Sequence, residues 1–162
     1  MSDLCVELPD LGVEAVVTLF HDRAPSVCRS IVEALTTPLE TRTAHACFDG
    51  HAVYAYLPEF SQPPPVENST MRPTPGDVMF YRAPVNSFAW LHDDRDRMAP
   101  RGTDVEANEL SFIYGAVNLT HDLGAAFYGS LIGRVTAGFH SLAEAFAETL
   151  ERGNTALKIH LL

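Results

Sequence analysis

Four residues of one short segment, His45, Asp49, His51 and Tyr54, combine side chains that ligate metals and move protons. Imidazole changes protonation near neutral pH and is a common metal ligand, and a neighbouring phenol or carboxylate can complete a proton relay or a coordination set. Residues two apart on a strand share a face, so a turn at Asp49-Gly50 would bring His45 near His51 or Tyr54. The plainer alternative is that Asp49-Gly50 is only the turn and both histidines are ordinary rim residues. A metal would need a third ligand, for which His92 and Asp94 are the candidates. Cys47, beside His45 and His51, invites a thiol nucleophile, although cysteine in a β-rich core is commonly just a small apolar residue.

A second set could hold an organic ligand. Phe80, Tyr81, Phe88 and Trp90 have the bulk to line an apolar groove for a peptide or small acyl group. Strand alternation also allows them to be divided between core and rim. Arg82 and Arg101 stand out in an acidic chain as possible carboxylate clamps, or as solvated residues beside Asp93 and Asp104. The candidate ligand-binding set is therefore His45, His51, Tyr54, Arg82, Phe88, Trp90 and His92, with no metal ion and no cofactor assigned. Glycine-rich phosphate loops, the Gly-x-Ser-x-Gly elbow and His-Glu-x-x-His do not occur, so common nucleotide, serine-hydrolase and zinc-protease readings lack their working parts.

The elements that must position these residues are mostly strands. Leu4, Val6 and Leu8 alternate with polar residues, Pro9 to Gly12 supplies turn chemistry, and Val13 to Phe20 alternates again, which predicts a hairpin. Pro25 suits a first helical turn, and Val27, Cys28, Ile31, Ala34 and Leu35 recur at helical spacing, so a helix is expected over about 25 to 36. Two strands are expected between Thr41 and Leu57 around Asp49-Gly50. The run Gln62-Pro63-Pro64-Pro65 must be an extended loop. Strands are expected at Asp77 to Arg82, Ser87 to Leu91, Phe112 to Val117 and Ala126 to Val135, with a charged loop from His92 to about Asn108. Ser141 and Glu144 have the spacing of a capping box, with Leu142, Ala145, Phe146, Thr149 and Leu150 as the core stripe and Gly153 beyond the last turn. Thr155 to Leu162 returns to alternation. This order predicts a mainly β fold, a closed barrel with two capping helices, formed by residues 1–162 as a single domain. The interior of so small a barrel fills with side chains, which leaves a ligand the outer groove or a subunit interface.

With 162 residues, 46% of them hydrophobic and 20% charged, the chain has the apolar content to build a core. Its formal charge of -10 repels phosphate backbones and anionic lipid, so nucleic-acid and membrane partners are disfavoured. No run approaches the roughly 20 apolar residues of a membrane span, and Met1 leads into Asp3 and Glu7, so a cytoplasmic protein is expected. Three widely spaced cysteines suggest neither a disulfide framework nor a zinc knuckle. The Pro-rich loop and aromatic strands suggest a homo-oligomer.

Two blocks carry a family resemblance. VVTLFHDRAPSVCRSIVEAL, Val16 to Leu35, resembles the opening of cyclophilins, where a strand ends in an acidic-x-Ala-Pro turn before a helix. LIGRVTAGFHSLAEAFAETLERG, Leu131 to Gly153, resembles their closing strand, loop glycine and helix. PGDVMFYRAPVNSFAWL, Pro75 to Leu91, looks like the central strands of the short bacterial cyclophilin-like domains of unknown function. The resemblance implies a cyclophilin-like barrel and, with it, prolyl isomerisation. That activity uses an arginine in a Phe-His-Arg segment, whereas this chain has His45-Ala46-Cys47-Phe48-Asp49-Gly50-His51 and no Gln-Gly-Gly stretch after it. The family's arginine has no matched position, and polarising a twisted amide across a barrier of about 18 to 20 kcal/mol needs such a donor. The leading expectation is a binding domain for a small molecule or peptide. A divergent prolyl isomerase and a small histidine- or metal-dependent enzyme acting on an amide or carboxylate are the alternatives.

Overall fold

Leu4, Val6 and Leu8 turn to one side of the first strand and are fully buried, which is the alternation their spacing predicts. The computed structural model describes residues 2–46, 50–83, 107–117 and 129–162. Strands β1 (Leu4–Leu8) and β2 (Val13–Leu19) form the predicted hairpin around a 3-10 turn at Pro9–Leu11. Helix α1 (Pro25–Ala34) follows, then β3 (Leu39–Arg42), β4 (Ala44–His45), β5 (Gly50–Tyr56) and the short β6 (Ser69–Thr70). The chain continues through β7 (Asp77–Ala83), β8 (Ala107–Val117), β9 (Gly129–Ala137), α2 (Phe139–Arg152) and β10 (Ala156–Leu161). The strand expected at Ser87 to Leu91 and the charged loop after it lie outside the described residues, apart from the last positions of that loop, which open β8.

Every pairing is antiparallel, in the order β3-β10-β1-β2-β9-β7-β8-β5-β4, with β6 added on β9. The two ends of this path, β3 and β4, are separated in sequence only by Thr43. That residue is fully buried, and its N–H donates to the Thr155 carbonyl at 2.9 Å while its Oγ1 accepts from the Thr155 N–H at 2.9 Å. The sheet therefore returns on itself as a nearly closed barrel. Its interior is filled by inward residues of the strands together with Val27, Cys28, Ile31 and Leu35 of the α1 segment and Leu142, Ala145 and Phe146 of α2. Phe80 joins this core, whereas Tyr81 packs on the outer face with Met79, Ala52 and Ile113. The expected division of the aromatic residues between two faces is thus observed at this pair. Among the described residues no helix is long and apolar enough to cross a membrane.

Two details of α2 differ from expectation. Its start is set by Gly138, in the left-handed region at φ 74, with no side-chain cap, so Ser141 and Glu144 do not form a capping box. A Cβ at Gly138 would lie 2.4 Å from the Glu14 carbonyl oxygen and 3.0 Å from Ala15 Cα. This close approach to β2 turns the chain directly after β9 and begins the helix two residues ahead of Ser141, and Glu144 pairs instead with His140 at 3.2 Å. Leu150 is 60% exposed, and the buried stripe is Leu142, Ala145, Phe146 and Thr149. Thr149 is tolerated there because its hydroxyl donates to the Phe146 carbonyl at 2.6 Å. The cap of α1, which its own sequence does not supply, comes from the Pro-rich loop: Glu67 Oε2 accepts from the N–H groups of Ser26 (2.8 Å) and Val27 (3.2 Å).

Candidate functional site

Register decides which of the chemistry-bearing residues meet. His45 stands opposite Val53, and Val53 opposite Phe112, so His45 continues the inward-facing row at one end of the barrel. Tyr114, two residues beyond Phe112, extends the same row on β8. Between the pairs Ala52↔Ile113 and Gly50↔Val117 the register shifts, so Tyr114, Gly115 and Ala116 stand against the single residue His51. A bulge of this kind re-aims side chains, and here it brings His51 to the other side of Tyr114. Gly115 is required at its centre, because a Cβ would lie 2.7 Å from His51 Cβ.

The result is a tyrosine between two histidines. Tyr114 meets His45 edge-on at 5.7 Å between ring centroids and His51 edge-on at 5.4 Å, and rests on Phe146 of α2 at 6.0 Å. His45 Nδ1 lies 2.8 Å from the Ala46 carbonyl oxygen and His45 Nε2 2.6 Å from the Tyr114 hydroxyl. A carbonyl only accepts, so Nδ1 carries the proton, and Nε2 of the neutral ring accepts from the phenol. His51 Nδ1 is likewise held by the Ala116 carbonyl, at 3.1 Å, which makes its Nε2 an acceptor. Burial pushes the Tyr114 phenol up from its ordinary value, keeping it protonated at neutral pH. The Tyr114 proton is thus committed to an oriented imidazole, which leaves the phenol oxygen, like His51 Nε2, an acceptor for a ligand's donor.

The expected site residues are only partly joined. His45 and His51 meet at Tyr114. Tyr54, opposite Ala44 and not His45, faces outward with Tyr56, their ring centroids 5.6 Å apart. Beside them Glu109, opposite Tyr56, accepts from the Ser111 hydroxyl at 2.5 Å. Burial first, and Glu109 second, raise the Tyr56 phenol well above its ordinary range. Arg82 is exposed and pairs in register with Asn108, about 20 Å along β8 from Tyr114 at ~3.4 Å per residue. Phe88, Trp90 and His92, like Cys47, Asp49, Asp94 and Arg101, lie outside the described residues. Tyr114 had no sequence signal of its own, since only the β5–β8 register brings it to residues more than sixty positions earlier. Among the described residues, three metal-ligating side chains converge elsewhere: the donor atoms of Cys5, Glu7 and His160 all lie within 4.8 Å of one another.

Residues 6–161 match the model of a family of proteins of unknown function, DUF3830. The chain belongs to the DUF3830 family. No curated protein matches it. Among solved structures, McbB in complex with tryptophan is similar to this DUF3830 chain at TM-score 0.63 and 11% identity. The match covers 97% of this chain and 44% of McbB, so the DUF3830 chain spans less than half of McbB's length. At that identity the likeness is one of fold.

Proposed function

We propose that this DUF3830 protein is a small-molecule-binding barrel of cyclophilin-like type, in which residues 1–162 act as one unit and the rim of His45, Tyr114 and His51 receives the ligand. The observation that carries the reading is the Tyr114 hydroxyl held 2.6 Å from His45 Nε2 between two carbonyl-anchored imidazoles. Groups already fixed by the backbone lose little freedom when a ligand arrives. The ring of Tyr114, backed by the buried Phe146, offers an aromatic wall, and the accepting Nε2 of His51 favours a ligand N–H or O–H. The chain's net charge of -10 favours neutral or cationic compounds over anions. A small planar molecule with a hydrogen-bond donor fits these requirements better than an extended peptide. Tryptophan, the compound bound by McbB, has a planar indole with an N–H and is the first to test.

Thermal unfolding with tryptophan, indole and tryptamine checks the reading. A ligand at about 100 times its Kd stabilises by about 2.7 kcal/mol, enough for a clear rise in melting temperature. That rise should disappear in Tyr114→Phe and His51→Ala. A panel of planar donors without one stabiliser, or a shift that survives both substitutions, would remove the rim as the ligand site.

The partner in this reading includes a second copy of the chain, for which the Pro-rich loop with its exposed Val66 is the starting point. Light scattering at micromolar concentration should give a multiple of 17.7 kDa, and a monomer mass would rule the assembly out.

A further inference from the structure

On the outer face of β1 and β10, far in sequence from the rim, soft and hard donors converge. Cys5 stands directly opposite His160, and Glu7, two residues on, shares the outward face of β1. Cys5 is 2% exposed and forms the floor, while Glu7 and His160 are half-buried around it. His160 Nε2 lies 2.8 Å from Glu7 Oε1, and Lys158 Nζ lies 3.1 Å from the same oxygen. Glu14 stands directly opposite Glu7 on β2, on the same outward face.

We propose that Cys5, Glu7 and His160 form a binding site for a divalent transition metal, with zinc the best-fitting ion and Glu14 or water in the fourth position. One thiolate, one imidazole and carboxylate oxygen form a donor set that zinc accepts, and ligands at its usual bond lengths stand about 3.3 to 3.8 Å apart in a tetrahedron. Donor atoms already within 4.8 Å of one another reach that spacing by side-chain adjustments of about 1 Å. His160 Nδ1 is held by the Leu161 carbonyl at 3.1 Å, which leaves Nε2 as the ligating nitrogen, the orientation by a second hydrogen bond that metal-bound histidines use. Charge also balances: a thiolate and the carboxylates of Glu7 and Glu14, offset by the Lys158 ammonium, match a divalent cation. Without metal, Lys158 Nζ and His160 Nε2 face Glu7 in its place. Binding forms bonds to sulfur, nitrogen and oxygen and releases to the buffer the Cys5 thiol proton and any proton on Nε2, with no change of oxidation state. Burial, followed by Glu14 and Glu7, pushes the Cys5 thiol up to about 11, so the thiol is protonated and inert until a metal displaces its proton.

Cobalt(II) titrated into chelator-treated, tag-free protein is the test. One equivalent should bind with a thiolate-to-cobalt charge-transfer band, which Cys5→Ser removes while far-ultraviolet circular dichroism shows the chain still folded. His160→Gln should weaken uptake by on the order of tenfold or more. Lys158→Gln should strengthen it by removing the competing ammonium, a gain that a merely structural ion pair would not produce. Tyr114→Phe should leave it unchanged, so this site and the rim reading succeed or fail separately. Absence of one-to-one uptake, a band that persists in Cys5→Ser, or weaker binding in Lys158→Gln would overturn the proposal.

Discussion

At the barrel rim the His45 ring turns Nδ1 onto the carbonyl of the next residue, Ala46, at 2.8 Å; on the outer face of β10 the His160 ring does the same with Leu161, at 3.1 Å. Beyond this shared anchor the two diverge. His45 Nε2 meets the hydroxyl of Tyr114, a donor, and His160 Nε2 meets the carboxylate of Glu7, an acceptor. One imidazole is thereby held as a hydrogen-bond acceptor among aromatic rings, and the other faces a carboxylate among charged groups. The local strand contributes the same backbone device to both, so the chemistry of each histidine comes from the strand paired across from it. That pairing is what separates the rim proposed for a planar organic molecule from the face proposed for a cation.

The largest effect expected from breaking this contrast lies beneath the rim. Phe146 is fully buried and touches both Phe112, at 5.9 Å between centroids, and Tyr114, at 6.0 Å. Truncating a core phenylalanine to alanine costs about 3 to 5 kcal/mol through lost burial and the cavity left behind. Urea unfolding of Phe146→Ala should show a loss of that size. The imidazole resonances of His45 and His51 should shift, because Tyr114 loses its support, while those of His160 stay in place. Equal movement of His160 would mean that the two histidine environments are not independent.

How much of this could be read in advance depends on sequence distance. The β1–β2 hairpin and both helices were legible because their apolar periodicity is local, and Phe80 and Tyr81 separate to opposite faces as neighbouring strand residues must. That His45 and His51 come to the same tyrosine was partly legible, since only five residues separate them in the chain. Tyr114 was not, because it reaches His45 from 69 residues away through the β5–β8 register, and His51 through a bulge that no periodicity announces. Glu7 and His160, 153 residues apart, meet only because the first and last strands of the chain are neighbours in the barrel. The capping box failed for another physical reason: Ser141 and Glu144 have the right spacing, but the contact of Gly138 with β2 commits the chain to its helix two residues sooner. Alternation predicts a residue's face, whereas strand pairing chooses its neighbour.

A smaller effect sharpens the same comparison through pH. The Glu7 carboxyl is held below the ordinary glutamate range, first by the hydrogen bond from Lys158, with further help from the Lys158 charge and from His160, against an opposing desolvation. A carboxyl whose folded pKa lies below its unfolded value binds fewer protons in the folded state, so it adds stability above the unfolded pKa of about 4.3. That contribution is lost as pH falls through the lowered folded value. Glu7 is partly open to solvent, so the change in total stability is small, but its position on the pH axis is diagnostic. Urea unfolding followed from neutral pH into the acid range should therefore show a shallower decline below about pH 4.3 for Glu7→Gln than for the native chain. Tyr114→Phe, which alters the partner of the other anchored histidine, should keep the native slope there. If Glu7→Gln and the native chain lose stability in parallel, the ion pairs with Lys158 and His160 contribute nothing to folding, and the distinction between the two histidines is one of geometry without an energetic counterpart.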